Sequence, residues 1–285
     1  MKKVKLIFLV VLTHLILSAC ASTTKEGIPF TLLEDKKSRE AITFYRDFMA
    51  AATISSLENI RQGKPGDAVR LQHYMIDKTI VEISSNLEGY SEKERKIAAR
   101  ILDNIHDHYV KHPRSKSKWY KALDDEKKRF YESVDAGLAD ALLKVGAQLP
   151  GGKPEEDDHM IPVLIFRSYM AGVAVELIEN FYKAHENELL KDLEYVLDYL
   201  VNEVRLHARK RRRDLKDEGF RSLAFGILTK IAAYRQKYPR DFDKWYLALP
   251  LWERKDCEKL DNLLKIASSS HQIYTWDFLL NLEKI

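Results

Sequence analysis

Apolar residues recur at intervals of three and four along most of the chain. One series contains Ala41, Tyr45, Phe48 and Ala52, and residues 97–109 contain another. This spacing places the apolar side chains on one face of an α-helix, as in amphipathic helices that pack around a core. Because no stretch alternates apolar and polar residues convincingly, the pattern predicts an all-α protein.

Turn-forming residues divide this pattern into separate helices. Residues 63–66 contain two glycines and a proline, and Pro113 and Pro239 end two of the longer segments. Ser115 and Asp241 follow these prolines at positions where a helix N-cap is expected. The predicted helices span about 36–62, 67–87, 91–111, 115–123, 126–146, 160–184, 187–213, 216–237, 241–249 and 252–268.

The two halves of the chain are similar in sequence. Residues 45–82 align with 166–203, and residues 95–123 align with 221–249 with 13 identities in 29 positions. Unrelated stretches of that length would share roughly two. We therefore predict a tandem duplication of a helical unit of about 110–120 residues, with roughly five helices in each copy.

The duplication organises the chain into segments that carry the following names. Repeat 1 spans residues 36–146 and repeat 2 spans 161–270, and residues 147–160 form a linker rich in proline, glycine and acidic residues. Residues 271–285 have no counterpart in repeat 1. We predict that they form a helix that caps the end of repeat 2.

Residues that are the same in both repeats are expected to serve the shared fold. Arg46 and Glu82 of repeat 1 recur as Arg167 and Glu203 of repeat 2. An antiparallel hairpin of the first two helices would place each arginine opposite the glutamate of its own repeat. We predict the structural ion pairs Arg46–Glu82 and Arg167–Glu203, with two functional carboxylate sites as the alternative.

Candidate chemistry is sparse. Of the 285 residues 45% are apolar and two are cysteines, which excludes a disordered chain and a disulfide scaffold. His106, His108 and His112 crowd one helix, but their counterparts in repeat 2 are an alanine and two tyrosines, which favours packing over metal ligation. Because no known nucleophile, phosphate-loop or zinc motif occurs, we predict no catalytic residue, metal site or cofactor.

Repeat 2 contains a basic insertion that repeat 1 lacks. Between the aligned blocks, repeat 1 has the 11 residues 84–94, whereas repeat 2 has the 16 residues 205–220. Five consecutive basic residues lie in this stretch: Arg209, Lys210, Arg211, Arg212 and Arg213. Such a cluster attracts anionic partners, such as phospholipid or lipopolysaccharide head groups, a wall polymer or an acidic protein surface. A solvated helix end is the alternative. Nucleic acid is the least favoured anionic partner, because nothing in the sequence resembles a nucleic-acid-binding motif.

The first twenty residues have the features of a secretory signal peptide. Lysines at 2, 3 and 5 precede an apolar stretch that is too short to span a membrane. The sequence Leu17-Ser18-Ala19-Cys20 resembles the lipobox of bacterial lipoproteins. This resemblance covers residues 1–20 only. It implies cleavage of residues 1–19, a diacylglyceryl thioether on Cys20 and acylation of the new amino terminus, including palmitate.

The resemblance implies a membrane-tethered protein, because two or three acyl chains give stable anchoring. Residue 21 is alanine, not the aspartate that marks inner-membrane retention in such lipoproteins, so the implied address is the outer membrane, on either face. Residues 20–35 would form the lipidated cysteine and a flexible tether. Loss of the signal peptide leaves 44 basic and 43 acidic residues, so the net charge says little about partners.

Two functions are compatible with these features. The first is a lipid-anchored binding or scaffold module of the cell envelope, whose partner is an envelope protein or an anionic envelope component. The alternative is a cell-envelope enzyme with a site in the cleft between the two repeats. An exposed apolar surface or the basic cluster would favour the first, and perturbed polar groups that converge in one pocket would favour the second.

Overall fold

The computed structural model describes residues 36–146, 160–183, 186–210 and 218–269, and the prediction of an all-α protein is confirmed within these ranges. The described α-helices are α1 (Lys36–Arg61), α2 (Pro65–Asn86), α3 (Glu92–Lys111), α4 (Lys118–Lys121), α5 (Asp125–Gly146), α6 (Ile161–Tyr182), α7 (Glu186–Lys210), α8 (Glu218–Lys237), α9 (Lys244–Leu247) and α10 (Leu251–Ser269). Three 3-10 turns span Leu87–Gly89, Arg114–Lys116 and Arg240–Phe242. The predicted signal peptide, Cys20, the predicted tether, most of the predicted linker and the predicted helix after residue 270 lie outside the described residues.

Local signals explain where the helices begin and end. Gly63 ends the region of α1 with a positive φ of 72°, a conformation that costs glycine little. Ser91 begins α3 with a capping box, in which its hydroxyl accepts a hydrogen bond from the Glu94 amide and the Glu94 carboxylate accepts one from the Ser91 amide. The same carboxylate accepts a hydrogen bond from the amide of Met160 at 2.9 Å, just before α6.

The segment after each third helix differs from the prediction of one continuous short helix. Pro113 has an extended backbone (φ −58°, ψ 130°), and a 3-10 turn follows before α4 begins. The N-cap is therefore Ser117, whose hydroxyl accepts from the amide of Tyr120, and the prediction of Ser115 as the cap is wrong. In repeat 2 the cap position is likewise Asp243 rather than the predicted Asp241.

The same succession of elements occurs twice. Apart from the 3-10 turn Leu87–Gly89, three long helices, a 3-10 turn, a single-turn helix and a long helix make up α1 to α5, and the same order recurs from α6 to α10. This order agrees with the predicted duplication, which stays a prediction.

The chain divides into two compact units. Within the described residues, unit 1 comprises 36–39, 72–146 and 160–176, and unit 2 comprises 40–71, 177–183, 186–210 and 218–269. Among the described helices, unit 1 therefore holds most of α2, all of α3 to α5 and most of α6. Unit 2 holds most of α1 and all of α7 to α10. The compact units thus differ from the predicted repeats, because the first helix of each repeat is grouped with later helices of the other.

Contacts within unit 2 show this exchange directly. Arg46 of α1 forms an ion pair with Glu203 of α7. The carboxylate of the next residue, Asp47, lies 2.6 Å from the ammonium group of Lys230 in α8. Near the end of α1, Glu58 accepts a hydrogen bond from Lys237 at 2.7 Å. Helix α1 of repeat 1 is therefore bound along its length to helices of repeat 2.

Unit 1 contains the reciprocal contact, because Arg167 of α6 forms an ion pair with Glu82 of α2. All four residues that were predicted to form ion pairs do so, and within each unit the partner comes from the other repeat. The predicted pairs within a repeat, Arg46–Glu82 and Arg167–Glu203, would join residues of different units and stay a prediction.

Each unit has its own apolar core. In unit 1, α3 packs against α5, with Ile101, Ile105 and Leu138 among the buried residues. In unit 2, α8 packs against α10 and α7, where Ile231 and Leu263 are buried. Burial of these apolar faces drives the association of the amphipathic helices.

Helix α6 is by far the most apolar helix of the described chain. It is long and apolar enough to cross a membrane, with a mean hydropathy of 1.7, but 67% of that window is buried inside the protein. Core helices of soluble proteins have the same composition. The burial of Phe166 and Leu164 supports a role of α6 in the core.

Candidate functional site

Each unit buries a cluster of polar side chains around one arginine. In unit 1 this residue is Arg114, which lies in the 3-10 turn after α3 and is only 3% exposed. Its guanidinium forms an ion pair with Asp77 of α2, and its Nε lies 3.1 Å from Oδ1 of Asp135 in α5. The arginine thereby ties the end of α3 to two other helices of the unit.

Unit 2 contains the same frame at equivalent positions. Arg240 of the second 3-10 turn donates from Nη1 to Oδ2 of Asp198 in α7 at 2.6 Å, and from Nη2 to Oδ1 of Asp261 in α10 at 2.9 Å. Arg114 and Arg240 are equivalent in the two repeats, and so are their carboxylate partners. A contact that is built twice from the same residues is best explained as part of the fold.

The surroundings of the frame in unit 1 are aromatic and uncharged. His73 of α2 is fully buried, with its ring centroid 4.8 Å from that of Trp119 and its Nδ1 3.2 Å from the hydroxyl of Tyr109. Burial, with Arg114 and His108 nearby, holds the pKa of His73 well below 6.5, so the imidazole is neutral. Burial also raises the pKa of Tyr109, which remains a phenol.

The equivalent surroundings in unit 2 are charged. Glu194 stands at the position of His73 and Arg235 at that of Tyr109, and these two residues form an ion pair. The hydroxyl of Tyr234 donates a hydrogen bond to Oε1 of Glu194 at 2.8 Å. Burial lowers the pKa of Arg235 and raises that of Asp198, because both charged forms lose hydration. The ion pairs of Arg235 with Glu194 and Asp198 offset part of this cost.

Arg61 at the end of α1 extends this charged cluster. Its guanidinium donates two hydrogen bonds to the carboxylate of Asp243, at 2.8 and 2.6 Å. Its Nε donates to the hydroxyl of Tyr234 at 3.0 Å, and Nη2 lies 3.3 Å from Glu194. The hydrogen bonds that Arg61 donates to Asp243 and Tyr234 raise its pKa despite its burial. The bidentate contact between Arg61 and Asp243 fixes α1 to the start of α9.

The basic cluster that the sequence singled out lies largely outside the described residues. Arg209 and Lys210 form the last residues of α7, and 211–213 lie beyond the described range. Helix α7 therefore ends in the basic insertion, whereas α2 of repeat 1 ends at Asn86, before a 3-10 turn.

The predicted histidine cluster is divided between surface and core. His106 is exposed and His108 is buried, with His112 between these extremes. The ring centroids of His108 and His112 are 5.3 Å apart. Within the described residues, no group of three or more histidine, cysteine or acidic residues is arranged to hold a metal ion.

Cys257 of α10 is buried. Burial raises the pKa of its thiol to about 11, so the thiolate is scarce at neutral pH.

Four exposed apolar residues that lie close together in the sequence of unit 2, called the apolar patch, are a surface feature that the sequence analysis missed. The patch consists of Phe242 (83% exposed), Leu247 (56%), Leu251 (62%) and Trp252 (65%), which lie within eleven residues of unit 2. The equivalent residues of repeat 1 are also exposed, and all of them are charged: Lys116, Lys121, Asp125 and Glu126. Comparison of the repeats residue by residue would have revealed this difference.

Comparisons of the chain with protein-family models, curated proteins and solved structures found no match.

Proposed function

We propose that the chain is a lipid-anchored binding or scaffold module of the bacterial cell envelope. The observation that carries this proposal is that the polar groups with shifted pKa values are paired or packed inside their own unit. Asp198 and Arg235 pair with oppositely charged neighbours inside unit 2, and His73 and Tyr109 are buried against each other in unit 1. Their shifted pKa values are accounted for by packing and pairing within each unit, whereas catalysis requires such groups to meet a substrate.

The lipobox-like sequence supports the anchor, and the basic insertion is the proposed contact surface for an anionic envelope component. The insertion begins at the C-terminal end of the long helix α7, where basic residues are also favoured by the helix dipole. Salt weakens electrostatic attraction of this kind, because counterions at about 0.1 M largely screen interactions between exposed charges that are more than about 10 Å apart.

The anchor is tested with Cys20→Ser in the full chain. We expect the wild-type protein to fractionate with membranes and to incorporate labelled palmitate, and the variant to lose the label and appear in the soluble envelope fraction. Retention of the unlabelled variant in the membrane would overturn the lipid anchor.

The contact surface is tested with a variant in which all five residues 209–213 are glutamine. Binding to vesicles that contain anionic phospholipid or lipopolysaccharide should fall at least tenfold at low salt, and the wild-type affinity should decline as salt is raised. The matched control removes five exposed basic residues of unit 1 by substitution with glutamine: Lys116, Lys118, Lys121, Lys127 and Arg129. If the control loses as much affinity as the first variant, the basic insertion is not the binding surface.

A further inference from the structure

We propose that the last sixteen residues of the chain, 270–285, dock on the apolar patch of Phe242, Leu247, Leu251 and Trp252 and thereby cap unit 2. This inference is independent of the proposed function. It rests on the composition of the patch, on the sequence that follows α10, and on the contrast with the equivalent part of repeat 1.

The two repeats differ in polarity at the patch and in the segment that follows their last helix, and both are apolar only in repeat 2. In repeat 1 the positions of the patch are charged, and α5 is followed by the polar linker 147–160. In repeat 2 these positions are apolar, and α10 is followed by 270–285, of which half are apolar residues. These residues are Ile273, Tyr274, Trp276, Phe278, Leu279, Leu280, Leu282 and Ile285. An apolar surface and an apolar segment thus occur together in one repeat and are both missing from the other.

The spacing of these apolar residues is that of a docking helix. Tyr274, Phe278, Leu282 and Ile285 follow one another at intervals of four, four and three residues, which places them on one face of a helix. Such a face is stable in water only when it is covered by another apolar surface.

The segment is long enough to reach the patch. Helix α10 has 19 residues and is therefore about 28 Å long, with Leu251 at its first position and Ser269 at its last. Sixteen extended residues span up to about 53 Å, and a helix of thirteen residues covers about 20 Å. A segment that turns back after Ser269 can therefore run along α10 and reach the patch.

Other occupants fit the patch less well. Acidic and basic residues are interspersed in the sequence around it, among them Asp241 and Lys244, and Asp256 is paired with Lys259 at 2.8 Å, so these neighbours offer no net attraction to an anionic membrane. Four side chains are also few for a second copy of the chain, because stable protein interfaces use about 20–30 residues on each side.

The experiment is hydrogen–deuterium exchange of the full chain, with a variant that carries the repeat 1 residues at the patch: Phe242→Lys, Leu247→Lys, Leu251→Asp and Trp252→Glu. We expect the amides of 270–285 to exchange at least tenfold more slowly than an unstructured peptide in the wild type. In the variant this protection should be lost while α8 stays protected, which shows that unit 2 remains folded.

A control variant, Val110→Lys with Leu143→Lys, removes two exposed apolar residues of unit 1 and should leave the protection unchanged. A second test changes the segment instead, with Tyr274→Ser, Phe278→Ser and Leu282→Ser, which should increase the quenching of tryptophan fluorescence by acrylamide. Fast exchange of 270–285 in the wild type would overturn the proposal, and so would protection that survives the patch substitutions. Protection that appears only at high protein concentration, or only with added vesicles, would assign the patch to a second copy or to a membrane and would also overturn it.

Discussion

Units 1 and 2 contain the same arginine and carboxylate frame but surround it with opposite chemistry. In unit 1, Arg114 is embedded among aromatic rings, with the Tyr109 ring 4.1 Å from its Cζ atom. In unit 2, the counterpart Arg240 lies beside a second buried arginine, Arg235, and additional carboxylates. The frame is therefore compatible with either a largely uncharged or a highly charged interior, provided that each charge finds a partner.

This difference indicates which interactions the fold requires. The ion pairs shared by the two units connect the same helices in each, so they define how a unit is assembled. The residues that differ, such as His73 and Glu194, change how stability responds to pH and to the loss of one charge. The following predictions test these two roles.

The largest effect is expected from removal of the central arginine. Arg114→Met leaves Asp77 and Asp135 without their cation, and breaking a buried pair typically costs about 3–5 kcal/mol. Arg240→Met should cost less, because Nη2 of Arg235 remains 3.4 Å from Asp198. The measurement is native-state hydrogen exchange of α3 and α8, which reports the opening free energy of each unit separately.

The control for this comparison is Arg70→Met, because Arg70 and its partner Asp67 are both exposed. Its loss should change stability by less than about 1 kcal/mol. Equal losses for Arg114→Met and Arg240→Met would show that Arg235 does not compensate for Arg240.

The second prediction concerns the stability of unit 1 at acidic pH. Because burial holds the pKa of His73 below 6.5 in the folded state, the unfolded chain binds a proton that the folded chain does not. The free energy of unfolding of unit 1 should therefore fall as the pH drops below about 6.5, by at most about 1.4 kcal/mol per pH unit for this group.

His73→Asn removes the titration and keeps a polar atom near Tyr109, so it should flatten this decline between pH 6.5 and 4.5. The measurement is hydrogen exchange of α3 at several pH values, with α8 of unit 2 as the internal reference. An equally steep decline in the variant would contradict the role of His73.

The smallest effect is expected at Asp192 of α7, where burial raises the pKa to about 6 although Asn180 donates a hydrogen bond to the carboxylate at 2.8 Å. The folded state favours the protonated acid, so this group stabilises the fold below pH 3.8, and its contribution is lost as the pH rises through 6. Asp192→Asn should raise the stability of unit 2 at pH 7.5 by on the order of 2 kcal/mol. The gain should vanish near pH 3.5 in urea denaturation, and a gain that is independent of pH would point to packing instead.

Much of the local structure followed from the sequence. The predicted helix bounds agree with α1 to α10 within a few residues, because apolar spacing and residues such as Gly63 and Pro113 act locally. The N-cap at Ser115 was wrong, since the 3-10 turn after Pro113 delays the start of α4 by two residues. The apolar patch escaped notice because single apolar residues in a short segment are indistinguishable from core residues until their exposure is known.

The ion pairs show a second limit of prediction from the sequence. Arg46 and Glu203 were both identified as pairing residues because they recur in the two repeats, yet Glu82 and Glu203 occupy equivalent positions. Local sequence therefore offers Arg46 two equivalent partners. The charged cluster around Glu194 and Arg235 was missed for a related reason, because charged residues in an amphipathic helix ordinarily indicate its solvent face.

The sequence alone determined that the described chain is helical, where its long helices begin and end to within a few residues, and which residues are repeated, since these properties depend on interactions among residues close together in the chain. Only the tertiary structure decided that α1 pairs with helices of repeat 2, that α6 pairs with α2, and that one unit buries a charged cluster where the other buries aromatic rings. The reason is physical: helix periodicity specifies which face of each helix is apolar, but not which distant helix covers that face.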